Sequence, residues 1–181
     1  TLNQVGVYLQ DQLEWNNWNL LLSGRQDWSQ VNTRDRTSGG KEQTYNDAQF
    51  TGRAGLVYLF DNGVSPFVSY SESFLPLAGT DANRKPFEPS TGKQYEVGVK
   101  FQPPGQKSFI QASVYQLDQE NVLTTNPVDT TFSTQSGALR SRGVELEAKA
   151  VLSDAWDVVA SAARNDVKYT KDNDGRQGRH P

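Results

Sequence analysis

Lys93-Gln-Tyr-Glu-Val-Gly-Val-Lys-Phe101 is the stretch whose reading decides the fold. In an extended chain, Tyr95, Val97, Val99 and Phe101 fall on one face and Gln94, Glu96, Gly98 and Lys100 on the other, because side chains alternate along a strand. A polar segment containing Pro86 and Pro89 precedes the stretch, and the tight turn Pro103-Pro104-Gly105 follows it. Outward from here, the same unit recurs: strand, short turn, strand, long loop. The question is whether the apolar faces point into a core or out into lipid.

Composition narrows the choices. Of the 181 residues, 35% are apolar and 22% charged, with a mean hydropathy of −0.70. Globular domains run at about 45–50% apolar when glycine is counted. A net charge of −3 argues against a nucleic-acid partner, since such proteins are normally basic. With no cysteine and a single histidine, neither disulfides nor a His/Cys metal site are expected. No apolar run reaches the length of about 18 residues that a transmembrane helix needs. A membrane β-barrel remains compatible, because it alternates lipid-facing with lumen-facing residues. The chain enters a strand pattern almost at Thr1 and stops at Pro181 without a closing signal, which reads as a segment of something longer.

In chain order the expected strands are 4–13, 18–28, 49–60, 65–74, 93–101, 108–118, 139–152 and 156–169. Short connections follow the odd-numbered strands: Glu14 to Asn17, Asp61-Asn62-Gly63, Pro103-Pro104-Gly105 and Ser153-Asp154-Ala155. Asn-Gly favours the positive φ of hairpin turns. Long polar connections, 30–47, 75–92 and 119–137, follow the even-numbered strands, the first with Ser38-Gly39-Gly40 at its tip. The sixth strand is ambiguous, with Ile110, Ala112 and Val114 on one side and Phe109, Tyr115 and Leu117 on the other.

Short turns at one end and long loops at the other are the habit of outer-membrane barrels. A soluble antiparallel sandwich shares the period of two, so a β-sheet adhesion or scaffold module stays open as the alternative. Two features favour lipid. The strands are long, near the length of about ten residues that spans a bilayer. The second face carries Arg25, Asp27, Arg53, Glu96, Lys100, Glu145, Glu147 and Lys149, which implies standing water on that side. The expected lipid-facing set is Val5, Val7, Leu9, Leu20, Leu22, Leu56, Tyr58, Val68, Tyr70, Tyr95, Val97, Val99, Phe101, Val144 and Leu146. Asp11 interrupts this face on the first strand. Several of Tyr8, Trp18, Trp28, Tyr70, Tyr95 and Phe101 suit the aromatic girdles at the two interfaces.

Particular motifs are also familiar. Val5-Gly-Val-Tyr-Leu-Gln-Asp-Gln12, Gly24-Arg-Gln-Asp27, Asn62-Gly63 with Ser65-Pro66, and Tyr70-Ser-Glu-Ser-Phe74 resemble the barrel of TonB-dependent outer-membrane siderophore receptors. Gly92-Lys-Gln-Tyr-Glu-Val-Gly-Val-Lys100 and Arg142-Gly-Val-Glu-Leu-Glu-Ala-Lys149 do so too. The resemblance covers essentially the whole chain and is nearest to the ferrichrome-type hydroxamate receptors. It implies an all-β fold, an antiparallel transmembrane β-barrel segment of about eight strands out of about 22, with the plug absent. Residues 1–181 would be a partial receptor barrel domain. The implied function is a share in TonB-energised transport of ferric siderophores across the bacterial outer membrane. The partners implied are the ferric siderophore, outer-membrane lipid, the protein's own plug and the TonB complex. Iron would travel inside the siderophore, with no cofactor bound directly.

The resemblance also implies that loop aromatics contact ligand, here Tyr45, Phe74, Phe87 and Phe132, and that the charged face meets the plug. Catalysis has little support. Glu145, Glu147 and Lys149 on one strand read as a solvated wall, and a hydrolase needs a placed histidine, whereas His180 lies in the polar tail. Asp172-Asn-Asp-Gly175 begins like a calcium loop, but the chain ends before the closing glutamate such a loop requires.

Overall fold

In the computed structural model, eight strands form one antiparallel sheet in sequence order. They are β1 (Leu2–Trp15), β2 (Trp18–Arg34), β3 (Glu42–Tyr58), β4 (Val64–Leu75), β5 (Ser90–Phe101), β6 (Phe109–Thr125), β7 (Ser133–Ser153) and β8 (Trp156–Lys171). The structure describes residues 1–34, 42–126, 128–172, 175 and 177–180. β1 and β8 do not pair, so the sheet is open.

The short turns work as their residues require. Trp15 pairs directly with Trp18, leaving Asn16 (φ 52°) and Asn17 as a two-residue hairpin loop. Asn-Gly does the same work between β3 and β4: Gly63 has φ 87°, and the Asn62 side-chain oxygen accepts the Val64 N–H at 3.1 Å. The ambiguity of the sixth strand is resolved by register, which sets Ile110, Ala112 and Val114 opposite Phe101, Val99 and Val97.

The long connections are shorter than the sequence suggests. β2 and β3 stay paired out to Arg34 and Glu42, and β6 and β7 out to Thr125 and Ser133. The expected loops 30–47 and 119–137 are therefore largely polar strand, and the loop at 75–92 narrows to 76–89. The physical reason is that the apolar signal stops where both faces become wet, while the ladder continues on polar pairs. Gln30 donates to Asn46 at 3.2 Å, and Thr44 donates to Asn32 at 2.8 Å. Tyr45 is accordingly a strand residue, not a loop residue, and Phe74 lies in β4, one residue from its end. Ser38-Gly39-Gly40 and most of Asp172-Asn-Asp-Gly175 lie outside the described residues.

One seam is short. β3 and β4 pair only from Arg53↔Ser71 to Val57↔Phe67. The Glu72 carboxylate closes that ladder by accepting the Gly52 N–H at 3.0 Å and the Tyr70 hydroxyl at 2.6 Å.

Among the described residues the buried apolar set is only Val31 and Phe87, whereas Asp27, Ser29, Ser90 and Ser113 are buried polar residues. The sheet thus has no soluble-type core. Close packing appears instead on the polar face. A Cβ added at Gly98 would lie 2.5 Å from the Phe67 ring and 2.7 Å from the Ala112 carbonyl oxygen, so glycine is what lets the ring cross β5. At Gly55 the nearest atoms stand at 4.0 Å. Gly98→Val is expected to cost about 1–3 kcal/mol through overpacking, and Gly55→Ala to be close to neutral. Denaturant unfolding of the two variants side by side checks the ordering.

Candidate functional site

The sheet is inside-out relative to a soluble protein. Along β5, Tyr95, Val97, Val99 and Phe101 are exposed while Gln94, Glu96, Gly98 and Lys100 are half-buried. Aliphatic side chains are open on the neighbouring strands too, with Val68 49% exposed, Val97 49%, Val114 48% and Val144 51%, while Leu20 and Leu56 are half-buried. Register sets every residue of the expected lipid-facing group on this one face. Trp18, Tyr58 and Phe60 stack edge to face at its turn end, with centroids 4.7 and 4.6 Å apart, and Tyr70 meets Tyr95 at 5.0 Å nearer the loop end. A concavity of about 870 Å³ also opens on this face over Leu56, Val68, Val97 and Val144. It is an apolar floor, unsuited to a polar ligand.

The apolar band runs obliquely across the strands. A single cross-strand row passes through Leu13, Leu20, Leu56, Val68, Val97, Val114 and Val144 and ends on Arg164. At the loop end the band gives way to polar residues at Asn3 on β1 and at Arg164 on β8, about ten residues apart when followed along the register. At the turn end the corresponding step, from Trp15 to Trp156, is about six residues. Seven strand-to-strand steps separate β1 from β8. With about 3.3 Å per residue and about 4.8 Å between strands, that slope means a strand tilt of about 30–45°. Membrane barrels tilt their strands by about 35–45°.

Above the band the same face turns charged, a feature not anticipated from the sequence. Arg140 pairs with Asp118, Arg142 donates to Gln116 at 2.9 Å, and Lys168 meets Asp166 at 2.8 Å. Their alternation in phase with the apolar residues was the available signal.

The opposite face carries the eight charged residues expected there. Asp27 is fully buried, and its carboxylate accepts two hydrogen bonds from Arg25, at 2.6 and 2.7 Å, and one from Gln4 at 3.0 Å. Gly6, opposite Asp27, leaves the room this needs: a Cβ there would sit 2.2 Å from Arg25 Nη2 and 2.3 Å from Asp27 Oδ1. Tyr8 stands on this charged face opposite Arg25, not in a girdle. Lys149 pairs with Asp157 at 3.2 Å, and the Lys100 ammonium lies 4.4 Å from the centre of the Phe109 ring. Arg53 takes no part in the Arg25–Asp27 pair, and Arg53, Glu96, Glu145 and Glu147 make no ion pair among the described residues. No group of three or more potential ligands among those residues is placed to hold a metal ion. His180 lies against Asp166 and the Val167 carbonyl at the loop end, while Glu145 and Glu147 lie lower on β7.

The four loop aromatics separate. Tyr45 shares the charged face high on β3, and Phe74 shares the apolar face with Tyr70. Phe87 is buried within loop 76–89, and Phe132 is 41% exposed at the end of loop 126–132. That second loop is built on Asp129, whose carboxylate accepts the hydroxyl and the N–H of Thr131. The hydroxyl bond, then the N–H, holds its pKa below the ordinary carboxylate value.

The whole chain, residues 1–181, matches the family described as TonB dependent receptor-like, beta-barrel. It is 45% identical over 169 residues to the ferrichrome outer membrane transporter/phage receptor of Escherichia coli, covering 93% of this chain and 22% of that protein. It is 41% identical over 179 residues to the ferrioxamine B receptor of Salmonella typhimurium, covering 98% and 25%. The fold matches the pyoverdine outer membrane receptor FpvA of Pseudomonas aeruginosa with a TM-score of 0.80 at 21% identity, over 95% of this chain and 26% of that one. The chain spans about a quarter of the length of these proteins.

Removing Arg25 strands a buried carboxylate, which is more damaging than removing both partners. Arg25→Met is therefore expected to lower the unfolding midpoint further than the double variant Arg25→Met/Asp27→Leu. Equal midpoints would mean that Asp27 carries no buried charge.

Proposed function

The chain belongs to the TonB-dependent receptor-like β-barrel family, and from that premise we propose that it forms eight adjacent staves of the wall of an outer-membrane receptor for ferric hydroxamate siderophores. The family is one of receptors rather than enzymes. The observation that carries the reading is the inverted sheet: exposed aliphatic side chains on one face, the charged residues together on the other, and a band whose slope fits a tilted membrane barrel. Hydrocarbon offers no hydrogen bonds, so a spanning strand must satisfy its backbone from neighbouring strands.

In this reading Val68, Val97, Val114 and Val144 meet acyl chains. Arg53, Glu96, Glu145 and Glu147 face the lumen, where a plug would offer them partners. Lys149 and Asp157 line the wall near the periplasmic turns. The ferric siderophore is cargo, held from the loop end. Tyr45 and Phe132 are the aromatics available to it, because Phe74 faces lipid and Phe87 is buried. An aromatic ring supplies rigid contact area with few rotatable bonds. The relatives named for ferrichrome and ferrioxamine support a trihydroxamate ligand, and the energy for its passage would come through TonB.

Equilibrium binding to the whole receptor tests this reading. Quenching of intrinsic fluorescence by ferrichrome or ferrioxamine at micromolar concentration or below is expected, with a ferric catecholate much weaker. No binding of any ferric hydroxamate would overturn the assignment.

A further inference from the structure

Loop 76–89 is held by side chains that neither the apolar pattern nor the receptor reading uses. The loop has its own fold. Phe87 N–H bonds to the Gly79 carbonyl at 3.2 Å, and Asp81 N–H to the Lys85 carbonyl at 2.9 Å. The Asp81 carboxylate accepts the N–H groups of Asn83 and Lys85 at 2.9 and 2.8 Å, and the Phe87 ring packs on Gly79. The loop is therefore a small preformed body whose position depends on its anchorage.

That anchorage is a buckle of amides. The Gln135 side chain takes the backbone of Glu88 from both sides, accepting its N–H at 2.6 Å and donating to its carbonyl at 2.5 Å. Asn121 donates to the Pro89 carbonyl at 3.0 Å. Ser90 donates to the Glu120 carbonyl at 2.9 Å and receives Gln119 at 3.1 Å. Gln135 also reaches the Asn121 carbonyl at 3.3 Å, joining the two halves.

The strands are deformed where the buckle sits. Between Gln119 and Val122, β6 carries one residue more than β7; between Val122 and Thr124, β7 carries one more than β6. The two bulges cancel, so the register is restored beyond them. Asn121 adopts φ 57° inside the first, and Gln135 lies inside the second. A bulge costs ladder hydrogen bonds and re-aims a side chain. A matched pair with both re-aimed amides on the same crossing segment, Glu88 to Ser90, has a common purpose.

We propose that Gln135 and Asn121 are positioning residues for the ligand: they lock loop 76–89 to the β6–β7 hairpin, so that this loop and loop 126–132, which carries Phe132, engage the siderophore as one body. The ligand-facing part of this inference rests on the receptor reading above. The lock itself does not.

Hydrogen exchange and ligand kinetics on the whole receptor test both parts, using Gln135→Ala and Asn121→Gly. Glycine at 121 keeps the left-handed backbone available while removing the amide. Exchange protection in residues 76–89 should fall about tenfold in Gln135→Ala, which loses two hydrogen bonds to Glu88, and by less in Asn121→Gly. Ferrichrome or ferrioxamine should dissociate about tenfold faster from Gln135→Ala, with the unfolding midpoint of the barrel unchanged, a split that general destabilisation would not give. Unchanged protection in both variants overturns the lock. Lost protection with wild-type dissociation overturns the positioning role. A wild-type receptor that binds no ferric hydroxamate overturns the receptor reading instead, and the exchange result then still decides the lock.

Discussion

The ladder between neighbouring strands is the interaction on which everything else depends. In hydrocarbon an unpaired N–H or carbonyl costs several kcal/mol, so strands cannot separate inside the membrane. The ladders other than that of β3 and β4 are continuous across the apolar band, and the register shifts lie at the loop end of β6–β7 and at both ends of β7–β8. Where β3 and β4 part, the Glu72 carboxylate takes the first orphaned N–H, that of Gly52. Where β6 and β7 are bulged, the strands have passed Val114 and Val144 into a mostly polar extension that still includes Val122 and Leu123. The free edges of β1 and β8 fall under the same rule, and strands on either side are what would satisfy them.

A continuous ladder fixes register, and register fixes the faces. A slip of one residue would exchange the aliphatic and charged sides. The two sides also differ in how they are packed. The apolar face keeps many of its aliphatic side chains open, and its rings touch one another at the turn end and at Tyr70–Tyr95. The charged face is fitted more closely, with Arg25, Asp27 and Gln4 gathered over Gly6 and Phe67 laid across Gly98. A buried carboxylate such as Asp27 is tolerated because its guanidinium partner is bidentate and close. Glu96, Glu145 and Glu147, which make no ion pair among the described residues, are not buried.

Much of this was legible in the sequence, and what was missed has a consistent cause. Alternation in Lys93–Phe101 and its counterparts gave the strands, their phase and the two faces, because those depend on neighbours two residues away. The Asn62-Gly63 turn was legible for the same local reason. Strand ends were missed wherever polar residues continued the ladder, as at Gln30, Asn32, Thr44 and Asn46, since hydrophobicity carries no signal there. Tyr45 was misjudged as a loop residue on that account. The buckle formed by Asn121 and Gln135 was invisible, because its partners are 32 and 47 residues away in sequence and its amides look like any others in a Thr- and Asn-rich stretch. The charged rim above the apolar band could have been found by following the phase of Arg140, Arg142 and Arg164, which matches that of the apolar residues below them.

The central claim is that the exposed aliphatic face meets lipid. Nitroxide labels placed singly at residues 94 to 101 of the whole receptor in a bilayer test it most directly, by comparing relaxation due to oxygen, which concentrates in hydrocarbon, with that due to a water-soluble nickel complex. A period of two is predicted, with oxygen dominant at Tyr95, Val97, Val99 and Phe101 and the nickel complex relatively favoured at Gln94, Glu96, Gly98 and Lys100. Aqueous access at Val97 and Val99 equal to that at Glu96 and Gly98 would contradict the account.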